Sequence, residues 1–332
     1  PIMARAISIE EGSIGRSVGW LYAINTFGAV CGVFVSGFIL LEQLGVWKTT
    51  LVAIAGDSIA GIASILLGVS MFVPVADKQE KPLRKQLAPD EPKAGFGYSL
   101  RMLRFILLSY FVSGFVALCY QVAWTRSLIF GFETLKATTY SFSGMLTVFL
   151  FGLSFGSFVM RGWADRMKDP LIAYGVLQLI LAIWGALTPF MIRVPIPEAL
   201  LATELDLSVS GDLNYPAAVW NIMLRTFLVI GVPTIVMGML FPVIVRIMTG
   251  SLTRLGRSVA DVYAVNTFGA IAGAFFGGFV LIPLLGISWT ISILAGLSFA
   301  IALGVFVFHP MVERARRPVF AAAFAATAAI FV

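Results

Sequence analysis

The sequence predicts an all-α polytopic membrane protein, and three observations predict it: apolar runs of span length, a scarcity of charge, and a long internal repeat. Of 332 residues 59% are apolar and 12% charged, with a mean hydropathy of +0.95, whereas about a quarter of an ordinary soluble domain is charged. The apolar residues fall in runs of about twenty, enough to cross ~30 Å of hydrocarbon at about 1.5 Å per residue. A water-soluble core cannot hide that much apolar surface, so the runs read as spans.

Bounded by charge, Gly or Pro, the first four spans are expected near residues 18–41, 49–73, 102–124 and 138–160. Four more follow near 171–192, 218–245, 259–283 and 288–308. Residues 319–332 are apolar again but too few to cross, and read as the start of a ninth span. Pro233 and Pro242 are expected to bend the sixth span.

Charge sets the orientation. Counted on alternate sides of these spans, 18 Lys and Arg residues fall on one side, and only Lys48, Arg126, Lys136 and Arg193 on the other. By the positive-inside rule the first side is cytoplasmic, which places the chain in the cytoplasmic membrane as a multi-pass protein. Residues 74–98, rich in Pro and in charges of both signs, read as a cytoplasmic linker, and residues 194–217, with Glu198, Glu204, Asp206 and Asp212, as the largest external loop. The net charge of +6 therefore expresses membrane orientation and not nucleic-acid binding.

The repeat is the strongest signal. Arg16 to Ala29 returns 241 residues later as Arg257 to Ala270, and residues 15–45 match 256–286 at 18 of 31 positions. Six spans separate the two starts, so both copies cross in the same direction and the repeats are parallel. Residues 1–73 then hold the last two spans of a truncated repeat one, 74–98 the linker, 99–310 a six-span repeat two, and 311–332 the start of a further span. The first four helices of repeat one are expected in missing segments of the same protein.

Helical spacing puts Tyr263, Asn266, Gly269, Ala270, Gly273 and Gly277 on one face, and Tyr22, Asn25, Gly28, Ala29, Gly32 and Ser36 on the corresponding face of the first copy. Small residues four apart let backbones approach and Asn bond across the contact, so helix packing is the plain reading; the sharper one is that Asn25 and Asn266 line a central polar path. Asp57 lies inside a span, where a lone carboxylate is costly. Arg225 at similar depth could pair with it, although snorkelling to the surface is the preferred account of that arginine. Tyr120, Gln121, Trp124 and Arg126 end the third span as an aromatic and basic interfacial anchor. Cys31 and Cys119 lack metal-ligand spacing and read as packing residues, and His309 beside Pro310 as an interfacial residue.

Several strings together resemble the membrane region of spermidine-synthase-like membrane proteins, in which a major-facilitator-like domain is fused to an aminopropyltransferase-like domain. They are Tyr120-Gln-Val-Ala-Trp-Thr-Arg126, Gly152-Leu-Ser-Phe-Gly156-Ser, Ala164-Asp165-Arg166, Pro233-Thr-Ile-Val-Met-Gly238 and the two Tyr-Ala-x-Asn-Thr-x-Gly-Ala copies. The resemblance implies major-facilitator-like six-helix repeats. This chain has Gln121 where the family usually has Glu, and Arg161 where the cytoplasmic loop usually leads with Gly. Neither a proton-coupling role nor a gating role is carried over.

The family's catalytic part would bring a Gly-rich nucleotide-binding turn after a strand. Clusters such as Gly277-Gly278 lie within spans instead, so no cofactor is expected here, and any aminopropyltransferase-like domain is expected beyond Val332. The expected function is a non-catalytic membrane domain, an anchor or structural subunit with the lipid bilayer and other membrane proteins as partners. The alternative is a secondary transporter or conduit for a polyamine or other small cation, which would ordinarily keep several paired ionisable groups near mid-membrane.

The topology has a direct test. In a variant lacking Cys31 and Cys119, Ser208→Cys is expected to react with an impermeant maleimide applied to intact cells, and Lys85→Cys is expected not to. External labelling of Lys85→Cys would overturn the assignment.

Overall fold

The computed structural model describes residues 14–70, 98–129, 138–192, 205–206, 212–213, 215–249 and 252–309. Of the expected linker all but Tyr98, most of the expected external loop 194–217, and the segment 311–332 lie outside the described residues. Among the described residues, six helical runs are long and apolar enough to cross a membrane. They are helical because hydrocarbon supplies no partner for backbone polar groups, and a helix satisfies them within the segment.

The first run comprises α1 (Ile14–Val35), a five-residue π-turn (Ser36–Leu40) and α2 (Leu41–Ser70). Then come α3 (Leu100–Ile129), α4 (Thr138–Ala164) and α5 (Pro170–Met191). A two-residue antiparallel pair, β1 (Leu205–Asp206) with β2 (Asp212–Leu213), joins Leu205 to Leu213 and Asp206 to Asp212. It precedes α6 (Tyr215–Met248), α7 (Leu252–Phe276), a second π-turn (Gly277–Leu281) and α8 (Ile282–Phe308).

Two of the apolar stretches are long, Val18–Leu67 with 50 residues and Ser258–Phe308 with 51. Unbroken, either would reach about 75 Å, more than twice the ~30 Å of hydrocarbon. Each is broken at one glycine, Gly45 with φ 69° and Gly286 with φ 80°. Only glycine takes that left-handed backbone without a steric penalty. The sequence predicts loops between these spans, whereas the structure joins them through a π-turn and a single glycine.

Both copies use the same devices 241 residues apart. Their π-turns begin at Ser36 and Gly277, and their breaks fall at Gly45 and Gly286. Thr49 donates to the Gly45 carbonyl at 2.8 Å and Thr290 to that of Gly286 at 2.7 Å. The threonine hydroxyl thus takes up a carbonyl at the point where the helix is interrupted.

Helices α3 to α8 form one bundle in which α3 lies along α7, α4 along α6, and α5 along α8. Helix α1 packs on α4 and touches α6. Beyond the π-turn before it, α2 packs extensively on no other element among the described residues.

The α3–α7 and α4–α6 crossings are backbone contacts. A Cβ on Gly269 would meet the Phe111 carbonyl, one on Gly273 that of Phe115, and one on Gly277 the Cys119 sulfur at 2.6 Å. Gly114 returns the contact against the Asn266 carbonyl. Across the other crossing, Gly152 lies against Thr234, Gly156 against the Ile235 carbonyl and Gly238 against that of Leu153. The stripe expected at Gly28 and Gly32 is not packed: a Cβ at either would find nothing within 4 Å.

This difference is measurable. Gly273→Leu is expected to cost about 3 kcal/mol or to abolish folding, because the obstacle is backbone and cannot rotate away. Gly32→Leu is expected to leave the thermal unfolding midpoint in detergent unchanged. Equal melting of both variants would remove the assignment.

Candidate functional site

The polar interior of the bundle sits between α3 and α5. Ser109 and Tyr174 share a hydrogen bond of 3.0 Å, and Gln178 Nε2 donates to Ser113 Oγ at 3.1 Å and lies 3.3 Å from the Tyr174 hydroxyl. All four residues are buried. Gln178 Oε1 and Ser298 Oγ are buried there without hydrogen-bond partners among the described residues, which is costly in a low-dielectric interior. The cluster was not foreseen, although Ser109, Ser113, Tyr174 and Gln178 recur four apart in two apolar runs.

The strings at the end of α3 turn inward, which corrects the anchor reading. Tyr120 and Trp124 are buried and stacked, with centroids 4.7 Å apart and planes 9° from parallel. Tyr120 donates to the Ile291 carbonyl of α8 at 3.4 Å and lies against Gly185 of α5. These aromatics face neighbouring helices because α5 and α8 close over this side of α3. Gln121 is half-buried and Arg126 exposed.

Pro233 carries its own chemistry. Proline has no N–H, so the carbonyl four residues earlier loses its helical donor. That carbonyl, Val229, accepts instead from Trp184 Nε1 of α5 at 2.9 Å. Helix α6 runs through both Pro233 and Pro242 as one element.

At the basic end, Asp169 is a hub. It caps α5 by accepting from the Leu171 and Ile172 amides at 3.1 and 3.3 Å, accepts from Tyr98 at 3.2 Å, and holds His309 Nε2 at 2.8 Å. Burial, and then the Asp169 carboxylate, push the Tyr98 phenol above its ordinary value. His309, expected at the interface, is buried because this contact draws it into the bundle. Arg246 and Asp165 approach to 3.9 Å nearby.

The remaining candidates divide by copy. Asn266 lies at the α3–α7 crossing against Gly114, while Asn25, Gly28 and Gly32 are exposed. Cys119 is buried under Gly277, whereas Cys31, expected as a packing residue, is exposed. Asp57 is exposed on α2 and forms no ion pair among the described residues, so its pairing with Arg225 is not formed. Arg225 is half-buried on α6.

Matched at the 241-residue offset, the two copies have complementary surfaces. Val30 is 8% exposed and its counterpart Ile271 61%; Phe38 is 4% exposed and Phe279 75%. Phe38, in the π-turn after α1, stacks on Tyr140 of α4, and α1 itself meets α4 where Ser154 and Ser157 donate to the Ala23 and Gly19 carbonyls at 2.7 and 3.2 Å. Conversely, Gly269 and Gly273 are buried by α3 where Gly28 and Gly32 are open. Leu294, Ser298, Ala302 and Val305 of α8 are buried, whereas their counterparts Ala53, Asp57, Gly61 and Ser64 of α2 are exposed.

No family model, curated protein or solved structure matches the chain.

The Trp184 contact is open to measurement. Trp184→Phe keeps the ring volume approximately but strands the Val229 carbonyl, and is expected to lower stability by about 1–2 kcal/mol. A thermal midpoint equal to that of the unsubstituted protein would show that the carbonyl needs no donor.

Proposed function

We propose that this chain is a non-catalytic membrane domain of the spermidine-synthase-like kind, an anchor and assembly subunit whose open faces on α1, α2 and α7 take further transmembrane helices of the same repeat. The complementary exposure of the two copies carries this reading. Where one copy is covered by a helix of α3–α6, the other offers a similar surface that no helix covers among the described residues.

Exposure of apolar residues is not the argument, because lipid covers an apolar face as well as a helix does. The polar and small residues on those faces are. Asn25 stands open on the stripe of Gly28 and Gly32, and Asp57 holds the position that Ser298 buries in the second copy. An acid at the centre of a span costs about 2.5–3.5 kcal/mol on insertion scales. A helix supplying a donor to Asp57 would offset that cost.

A major-facilitator-like plan is supported by the pairing of helices. Exchanging α3 with α6, α4 with α7 and α5 with α8 maps the α4–α6 contact onto α7–α3, and α5–α6 onto α8–α3. Two inverted three-helix halves within a six-helix unit have this pattern. In this reading the end bearing Arg161, Arg166 and Lys168 is cytoplasmic.

The test is photo-crosslinking in native membranes, with the reactive group placed at Gly32 and, separately, at Ile271. Adducts to a membrane-embedded polypeptide helix at both positions are expected. Lipid adducts alone at both would overturn the assembly role.

A further inference from the structure

Helices α1 and α4 enclose an apolar cleft of about 320 Å³. Trp20, Ile24 and Phe27 line it from α1, and Phe151, Phe155 and Phe158 from α4. Ser154 also borders the cleft, but its proton is committed to the Ala23 carbonyl. The interior therefore offers a ligand hydrocarbon contact and almost no hydrogen bonding.

One end is different. The guanidinium of Arg161 lies 4.3 Å from the Trp20 ring centre and 4.0 Å from that of Phe158. Contact with ring faces holds the cation without consuming its N–H donors as hydrogen bonds. Neighbouring carboxylates are engaged elsewhere, Asp165 towards Arg246 and Asp169 with His309. Arg161 has no carboxylate partner among the described residues.

The dimensions select the ligand. From Arg161 to Phe151 is ten residues of α4, about 15 Å by helix rise, which is half of the ~30 Å hydrocarbon thickness. The cleft thus runs through one leaflet from its headgroup level inward. We propose that it is a binding site for an anionic phospholipid of the leaflet at the basic end, with one acyl chain between α1 and α4 and the phosphate on Arg161.

The site is absent from the second copy. At the 241-residue offset, Asp261 replaces Trp20, which removes one of the rings that hold the cation and adds a charge that repels phosphate.

The experiment is tryptophan quenching of the full chain in mixed micelles, titrated with phosphatidylglycerol or phosphatidylcholine brominated on the acyl chain. The difference between the unsubstituted protein and Trp20→Phe isolates the signal of Trp20. Quenching of Trp20 is expected to half-saturate at about fivefold lower mole fraction of phosphatidylglycerol, the preference that one basic residue confers. Arg161→Gln should abolish the preference while acyl quenching persists, and Ile24→Phe, which narrows the cleft at an exposed position, should weaken both lipids. Equal quenching by the two lipids in the unsubstituted protein would overturn the site as annular lipid only. So would a phosphatidylglycerol preference unchanged in Arg161→Gln, or quenching by both lipids unchanged in Ile24→Phe.

Discussion

Two helix crossings carry the bundle, α3 on α7 and α4 on α6, and both depend on glycine Cα atoms lying against carbonyl groups of the opposite helix. Hydrocarbon removes the usual reason for apolar surfaces to associate, so close packing must supply the attraction. It does so only where no side chain holds the backbones apart. Once α3 and α4 are seated, α5 and α8 close over them. Their contacts on α3 include the Tyr120 hydroxyl on the Ile291 carbonyl and the hydroxyl and amide cluster around Tyr174, and α5 is also tied to α6 by the Trp184 indole on the carbonyl that Pro233 leaves open.

The same constraint gives meaning to the repeat. The two copies share a helix, a π-turn, a glycine break and a threonine bonded back to that glycine, so their backbones are built alike. Their surroundings are not alike. One copy meets α3 through its glycine stripe, and the other meets α4 through Ala23, Thr26 and Val30. Each therefore displays the surface that its twin has buried. Asp57, at the place of a buried serine, carries the largest electrostatic consequence of that difference.

Some of this is legible in composition and spacing. Long apolar runs locate the helices because a span has to satisfy its own backbone, and the glycine spacing of Gly269, Gly273 and Gly277 locates a close crossing. The Gly152–Gly156 pair carries the same small-residue signal and marks the α4–α6 crossing. Side-chain direction is less legible. Tyr120 and Trp124 have the composition of an interfacial anchor, and only the closure of α5 and α8 over α3 makes them core. His309 likewise has no sequence signal for Asp169, which lies 140 residues away and reaches it through the ends of two helices.

By itself, the sequence determined the helical class, the approximate spans, the internal repeat and the residues able to form close crossings, since all of these depend on local periodicity and on what hydrocarbon tolerates. Tertiary structure alone decided which glycine stripe is packed and which is open, that Asp57 and Arg225 do not pair, and that Arg161 lies over two aromatic rings at the mouth of a cleft. Those outcomes depend on which helix lies beside which. The near-identical stripes of the two copies do not by themselves encode that choice, because the packing partners differ.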